Sequence, residues 1–205
     1  NVALGYNALI TEDTGSRSVA IGSSALKFQN VNGNIYNVAV GHNTGTAITT
    51  GYQNTFIGGL AGSDTTTALN NTAVGYNALN TNTTGAENVA VGAYALDANT
   101  TANYNVAVGV ASLGANTTGT RNVALGYATL DANTTANNNT TIGYNSLGVN
   151  TTGAQNTALG AYALDANTTA SYNTAVGYVA LGANTTGAQN VALGPFSLDA
   201  NATGT

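Results

Sequence analysis

Apolar residues recur along this chain at a fixed spacing of seventeen positions. Each recurrence centres on an aliphatic residue followed by glycine, as in NVAVGAYALDANTTA from Asn88. The spacing between these glycines is constant except between Gly22 and Gly41, where the chain carries a two-residue insertion. A fixed period of this length is typical of repeat architectures. We therefore treat residues 1–205 as one repetitive domain, with units that start at positions 1, 18, 37, 54, 71, 88, 105, 122, 139, 156, 173 and 190.

Within a unit, the residue types alternate with the period of a strand. Position 1 is almost always Asn, position 2 is Val or Thr, position 3 is usually Ala, position 4 is Val, Leu or Ile, and position 5 is Gly. Positions 2 and 4 therefore share one strand face, and positions 1, 3 and 5 share the other. The glycine and the Asn-Thr-Thr triplet at positions 12–14 predict turns. We expect a strand, a bend, a second short strand through the Leu of position 9, and a loop.

A unit of this size cannot bury its own apolar face, but stacked copies bury a continuous core. The pattern predicts an all-β fold, namely a parallel β-solenoid of about twelve 17-residue coils. We expect the aliphatic residues of position 4 to stack inside with the leucines of position 9. The asparagines of position 1 should form a ladder in which each side-chain amide bonds the next. The alanines of position 3 should point outward and let another chain approach closely.

Composition narrows the function classes. Only 5% of the residues are charged, and the net charge is −5 with no cluster of basic residues. That balance argues against binding to a phosphate backbone, so we expect no nucleic-acid partner. No apolar run approaches the ~18 residues that span a bilayer, so we expect no membrane insertion in this segment. The many β-branched residues at fixed positions argue against disorder.

Two stretches resemble known repeat proteins. SVAIGSSAL, residues 18–26, closely matches the repeat of YadA-like trimeric autotransporter adhesin heads. The longer unit NTAVGYNALNTNTTGAEN from Asn71 is similar to the repeats of bacterial and phage tail-fibre proteins. The resemblance covers essentially all 205 residues and is weakest between Asn37 and Asn70, where Gly45 and Gly62 replace the Leu of position 9. It implies a left-handed β-roll that forms a homotrimer.

The sequence contains no constellation suited to catalysis, which needs unlike groups that converge. His42 is the only histidine, and we interpret it as a surface position. Glu12 and Asp13 are adjacent, a pattern typical of a solvated turn. Asp97, Asp131, Asp165 and Asp199 recur in every second unit, too far apart to share one calcium ion. We therefore expect no enzymatic activity, no metal and no cofactor.

The tyrosines and the Asn-Thr-Thr triplets leave alternatives open. Tyr94, Tyr127 and Tyr162 are candidates for contacting glycans, because flat aromatic faces suit sugar rings and tyrosine also has a polar hydroxyl. They are equally suited to packing against neighbouring coils or chains. The triplets predict turns, but they are also N-x-T acceptors for glycosylation. The candidate acceptors are Asn82, Asn99, Asn116, Asn133, Asn150, Asn167, Asn184 and Asn201.

These patterns favour a structural role outside the cell. We expect a fibre or adhesin segment that forms the shaft or head of an appendage on a cell surface or a virion. The repeat continues to both termini, so we expect the chain to be part of a longer fibre. Its expected partners are copies of itself, as a homotrimer. The alternatives are an adhesin surface that binds cell-surface carbohydrates and a self-assembling, glycosylated extracellular filament.

Overall fold

The computed structural model describes residues 1–204, which form short strands and turns and no helix, hence none that could cross a membrane. The chain forms two compact units of several repeats each, the first spanning Asn1–Tyr104 and the second beginning at Asn105. From here on, "unit" means one of these two parts, and one repeat is called a coil. The strands of the first unit are β1 (Val2–Leu4), β2 (Gly15–Ser16), β3 (Val19–Ile21), β4 (Gly33–Asn34), β5 (Val38–Val40), β6 (Thr55–Ile57), β7 (Thr72–Val74) and β8 (Val89–Val91). Those of the second are β9 (Val106–Val108), β10 (Val123–Leu125), β11 (Thr140–Ile142), β12 (Thr157–Leu159), β13 (Thr174–Val176) and β14 (Val191–Leu193).

Strands of successive repeats pair in parallel and in register. In the first unit Val74 of β7 lies opposite Val91 of β8, which is the same position one repeat later. In the second unit Val123 of β10 lies opposite Thr140 of β11 in the same way. The remaining three-residue strands of each unit follow this register, and β2 pairs with β4 beside the two-residue insertion. Each unit is therefore a parallel β-solenoid with one coil for each repeat of the sequence, which confirms the predicted fold class.

The two faces of the strands are the reverse of the prediction. The alanines of position 3 are buried in every coil but the first, as at Ala90, Ala124 and Ala175. The aliphatic residues of position 4 face outward, and Leu159 is 42% exposed. The prediction that position 4 stacks inside is wrong, whereas the leucines of position 9 are buried as predicted, including Leu130, in every coil but the last, where Leu198 is 49% exposed. The interior of a coil already contains that leucine and the asparagine amides, so position 3 has room for little more than a methyl group.

The coil with Phe56 shows that a larger residue fits at position 3 only where other interior side chains are smaller. Phe56 occupies position 3 and is completely buried. Its own coil and the preceding one have Gly62 and Gly45 where other coils have the buried leucine. A Cβ atom at Gly62 would lie 2.5 Å from the Phe56 ring, and one at Gly45 would lie 3.2 Å from it. The ring therefore fills the space of the missing leucine at Gly62, and at Gly45 it shares that space with Ile48, which is also completely buried.

The predicted second strand is wrong, since positions 6–11 form turns instead. Residues at positions 7 and 9 adopt positive φ, as in Tyr94 at 60° and Leu96 at 51°. A left-handed conformation costs a non-glycine residue roughly 1–2 kcal/mol. Hydrogen bonds between coils offset this cost, because the Tyr94 N–H donates to the Tyr76 carbonyl at 3.0 Å. At position 9 the bond runs to the following coil instead of the preceding one, since the Leu79 N–H donates to the Ala95 carbonyl at 2.9 Å.

The glycine of position 5 adopts a positive φ and also lets the backbone of the next coil approach closely. Its φ is positive in every coil, and Gly126 has a φ of 140°. A Cβ atom on Gly126 would lie 2.4 Å from the carbonyl oxygen of Gly143 in the next coil. Any other residue would therefore collide with the neighbouring backbone, and glycine is required here for space as well as for conformation.

We predict that Phe56→Ala lowers the free energy of unfolding by about 3–5 kcal/mol, because it leaves a cavity in the core. Gly62→Leu alone should also destabilise, since the new side chain would overlap the ring. The double variant restores the alanine and leucine found in other coils and should recover much of the loss. Urea titration of the three variants gives this coupling as a double-mutant cycle. The matched control is Phe28→Ala, at a phenylalanine that is 47% exposed. Equal losses at the two phenylalanines would contradict this account of the core.

Candidate functional surfaces

Two rows of buried asparagine connect the coils within each unit. At position 1, the Asn105 side-chain oxygen accepts from the Asn122 backbone N–H at 2.9 Å and from its amide at 3.2 Å. The same Asn122 amide donates to the Ala136 carbonyl at 2.8 Å. A primary amide has both a donor and an acceptor, so it can bond an identical copy of itself in each successive coil. The predicted ladder at position 1 is confirmed.

The second row lies at position 12, on the candidate acceptors for glycosylation. The Asn133 amide donates to the Asn116 side-chain oxygen at 2.9 Å and to the Ala136 carbonyl at 3.2 Å. Seven of the eight candidates are completely buried, namely Asn82, Asn99, Asn116, Asn133, Asn150, Asn167 and Asn184. A glycan on such a nitrogen has no space in the folded chain and would displace these hydrogen bonds. Asn201 keeps part of its surface accessible.

The threonines that follow these asparagines form the outer turn, as the turn interpretation predicts. The first threonine of the triplet bonds the next coil, as when the Thr117 hydroxyl donates to the Thr134 carbonyl at 3.0 Å. The second threonine is exposed, as at Thr118 and Thr135. The triplet therefore combines a buried amide, a hydroxyl that bonds between coils, and a solvated side chain.

The tyrosine candidates belong to exposed aromatic rows. Tyr94 is 44% exposed and Tyr127 is 54% exposed, while Tyr162 is half-buried. In the second unit the rings of five successive coils are neighbours, with centroids 5.3–6.2 Å apart, in the order Tyr127, Tyr144, Tyr162, Tyr178 and Phe196. In the first unit Tyr94 packs edge-to-face on Tyr76, with 5.6 Å between centroids. The rings thus pack on one another and still present aromatic surface to solvent.

Desolvation raises the pKa of Tyr162 above that of an ordinary tyrosine, and neighbouring Tyr144 adds to the effect. The neutral form of the Tyr162 phenol is therefore favoured. A neutral aromatic strip of this kind can contact sugars or other apolar surfaces without first neutralising a charge.

The outward face of the strands is a candidate functional surface whose residues the sequence pattern placed inside. Positions 2 and 4 place Val, Thr, Leu and Ile side chains side by side on this face, and we call it the outer sheet face. Val108, Ile142 and Leu159 are among its exposed members. The available signal was the position-1 asparagine, which shares a face with position 3. Since a continuous amide ladder needs burial to exclude water, the Asn-Ala face is the one expected inside.

The remaining candidates do not form a reactive site. His42 is exposed, and it shares no cluster with other candidate ligands. Glu12 does not lie in a solvated turn as interpreted, because it takes the place of the position-12 asparagine. Its Oε1 accepts from the Gly15 N–H at 2.5 Å and its Oε2 accepts from the Gln29 amide at 2.9 Å. Among residues 1–204, no three His, Cys, Asp or Glu side chains lie close enough to hold a metal ion.

Comparison with protein-family models gave no match. No curated protein and no solved structure matches the chain either. The function is therefore inferred from the geometry of these surfaces.

We predict that Asp131→Asn stabilises the chain increasingly as pH rises from 3 to 7. Burial raises the pKa of Asp131 above its ordinary value of 3.8, although a hydrogen bond from the Gly114 backbone partly opposes this. The folded chain therefore binds this proton more tightly than the unfolded chain, and its stability falls as pH rises through that interval. Asparagine cannot ionise, so the variant escapes the loss. Urea midpoints at pH 3, 5 and 7 measure the difference.

The control for this experiment is Asp199→Asn, at an exposed carboxylate in the last coil. Its difference from the wild type should change less with pH than that of Asp131→Asn. A stability difference for Asp131→Asn that is constant from pH 3 to pH 7 would show that burial of the carboxylate has no energetic effect.

Proposed function

We propose that this chain is a structural segment of an extracellular or virion fibre or adhesin. In this proposal three copies associate through the outer sheet face, and each copy is a left-handed β-roll. The proposal includes a relationship to YadA-like adhesin heads or to tail-fibre repeats. The observation that carries it is the orientation of the strands, which places the small alanines inside and the larger aliphatic residues outside. A soluble chain that exposes a regular apolar face has a partner for it, as large exposed apolar patches mark interaction sites.

A second copy of this chain is the partner that fits the outer sheet face best. The face carries no charged residue at positions 2 or 4 in any coil, so identical copies meet without repulsion. Its side chains repeat once per coil, and two copies can therefore interdigitate at the same spacing over many coils. A closed ring of three copies would cover the face of each chain, which is how closed symmetry limits further growth.

A fibre role agrees with the chemistry of the remaining surface. Among residues 1–204 no three His, Cys, Asp or Glu side chains cluster, and apart from the adjacent Glu12 and Asp13 the acidic side chains lie on separate coils. A repetitive solenoid can instead present the same weak contact many times, and linked contacts increase avidity without a new site. The proposed role is therefore mechanical and multivalent.

We predict that the chain sediments as a trimer, at three times the 20.3 kDa mass of one chain. Leu159→Lys should shift it towards monomer, because a trimer would bury three uncompensated ammonium groups in an apolar interface. We expect association to weaken at least 100-fold, or about 3 kcal/mol. Sedimentation velocity over a concentration series gives the result, and circular dichroism verifies folding.

The matched control is Thr152→Lys, which adds the same charge at an exposed turn position. It should leave the trimer intact. A wild-type chain that stays monomeric at every concentration would refute the trimer. Species that grow continuously with concentration would instead support the alternative of a self-assembling filament.

A carbohydrate-binding adhesin is the second candidate function, and the exposed aromatic rows favour it. Tyrosine rings in contact with one another form a strip wide enough for several sugar rings, with a hydroxyl on each ring for hydrogen bonding. In this alternative the lateral surface of the solenoid is itself the binding element.

We predict for this candidate that the isolated chain binds a subset of an immobilised glycan panel. Replacing Tyr94, Tyr127 and Tyr162 together by Ala should abolish binding, because the flat faces are removed. Replacing the same three by Phe keeps the rings and tests the hydroxyl groups separately. If the folded wild-type chain binds no glycan on the panel, the aromatic rows serve packing alone.

A further inference from the structure

A groove crosses three coils of the first unit where the repeat is least regular. It has a volume of about 280 Å³ and lies across positions 7, 10 and 11 of the coils that start at Ser18, Asn37 and Asn54. These coils contain the insertion and the two glycines that replace the buried leucine. None of its lining residues belongs to the outer sheet face or to the aromatic rows.

The groove brings together charges that the rest of the repeat separates. Lys27, the only lysine of the chain, lines it at position 10 of one coil. Asp64 lines it at position 11 two coils later, where most other coils have Ala or Thr. Two coil spacings separate their backbones by about 9.6 Å. The Lys27 Nζ lies over the Phe28 ring, 4.8 Å from its centroid. Opposite charges placed in this way can orient one ligand along the groove.

The Asp64 carboxylate has unused capacity to accept hydrogen bonds. The Ser63 hydroxyl lies 3.0 Å from one oxygen of Asp64 and 2.6 Å from the side-chain oxygen of Asn80. The two oxygens of a carboxylate offer about four acceptor sites, so Asp64 can accept further hydrogen bonds beside the contact with Ser63. Asp64 is exposed, so its oxygens are accessible to the hydroxyl groups of a ligand.

The rest of the lining has the mixed character of a small-molecule site. Leu60 and Ala47 provide apolar surface, and Ser24 and Asn43 add a hydroxyl and an amide. The Thr46 hydroxyl donates to the Ser24 carbonyl at 3.1 Å. This hydrogen bond orients the Thr46 oxygen as an acceptor. Sites for small ligands combine an apolar surface with a few polar groups that set orientation, and their volumes begin near ~300 Å³. A single sugar ring is of the appropriate size.

We propose that this groove binds a carboxylated sugar, such as a hexuronate. The carboxylate lies against the Lys27 ammonium, the ring hydroxyls donate to Asp64 and bond Asn43, and the apolar face of the ring packs on Leu60. A free amino acid fits less well, because its two charges lie on adjacent groups and cannot reach both Lys27 and Asp64. This site is independent of trimer formation, and each can fail without the other.

The test titrates the purified full chain with glucuronate, glucose and alanine by isothermal titration calorimetry and ligand-observed NMR. We expect a millimolar dissociation constant for glucuronate, the range typical of a ligand of this size. Glucose should bind at least 10-fold more weakly, because it lacks the carboxylate that contacts Lys27. Equal binding of glucose and glucuronate, or tighter binding of alanine, would overturn the proposal.

Variants locate the site. Lys27→Met and Asp64→Asn should each weaken glucuronate binding at least 10-fold. Arg17→Gln and Glu87→Gln remove a cation and a carboxylate that do not line the groove, and they should bind as the wild type does. Glucuronate binding that survives both groove variants would refute the assignment. Sedimentation of the Lys27→Met chain, unchanged from the wild type, would show that the loss is local.

Discussion

In-register stacking is the constraint on which the rest of this structure depends. Backbone hydrogen bonds fix each coil on the next, so within each unit every side chain lies against its counterpart from the neighbouring repeat. A residue type is therefore acceptable at a given position only if it tolerates contact with itself. Asparagine satisfies this condition because its amide is self-complementary, as the Asn116–Asn133 contact shows. Charged residues do not, since like charges at coil spacing repel, and the chain accordingly has few of them.

The same constraint explains the size of the residues inside. Most coils enclose one large aliphatic side chain, the leucine of position 9. Position 3 then takes a small side chain, which is alanine in most coils and threonine at the buried Thr141. Where the leucine is absent, Phe56 occupies the vacated space at Gly62 and shares it with Ile48 at Gly45. The interior thus conserves volume while the side chain that supplies it changes, which is the substitution that close-packed cores tolerate best.

Much of the fold could be predicted from the sequence, because a strict period fixes the coil length, the parallel pairing and the buried leucines. The period could not say which strand face is inside, since strand alternation is symmetric between its two faces. The asparagine at position 1, such as Asn122, carried the one sequence signal for that choice, whereas the volume left beside Leu130 is a three-dimensional quantity. The burial of the candidate acceptor Asn133 escaped prediction for the same reason. A turn triplet on the surface and a buried amide ladder have the same local sequence.

Function in such a molecule can arise in two physically different ways. Uniform coils repeat one weak contact at every step, so the outer sheet face and the aromatic rows suit extended partners that also repeat. A site for a discrete ligand requires unlike groups at one point, which identical coils cannot provide. It can form only where the repeat is broken, and the coils that contain Lys27 and Asp64 are the place where this chain tolerates such a break. Phe56 makes the break structurally tolerable, because it keeps the interior filled while the surface above it diverges. The irregular coils are therefore the part of the chain able to combine a solenoid core with a selective site.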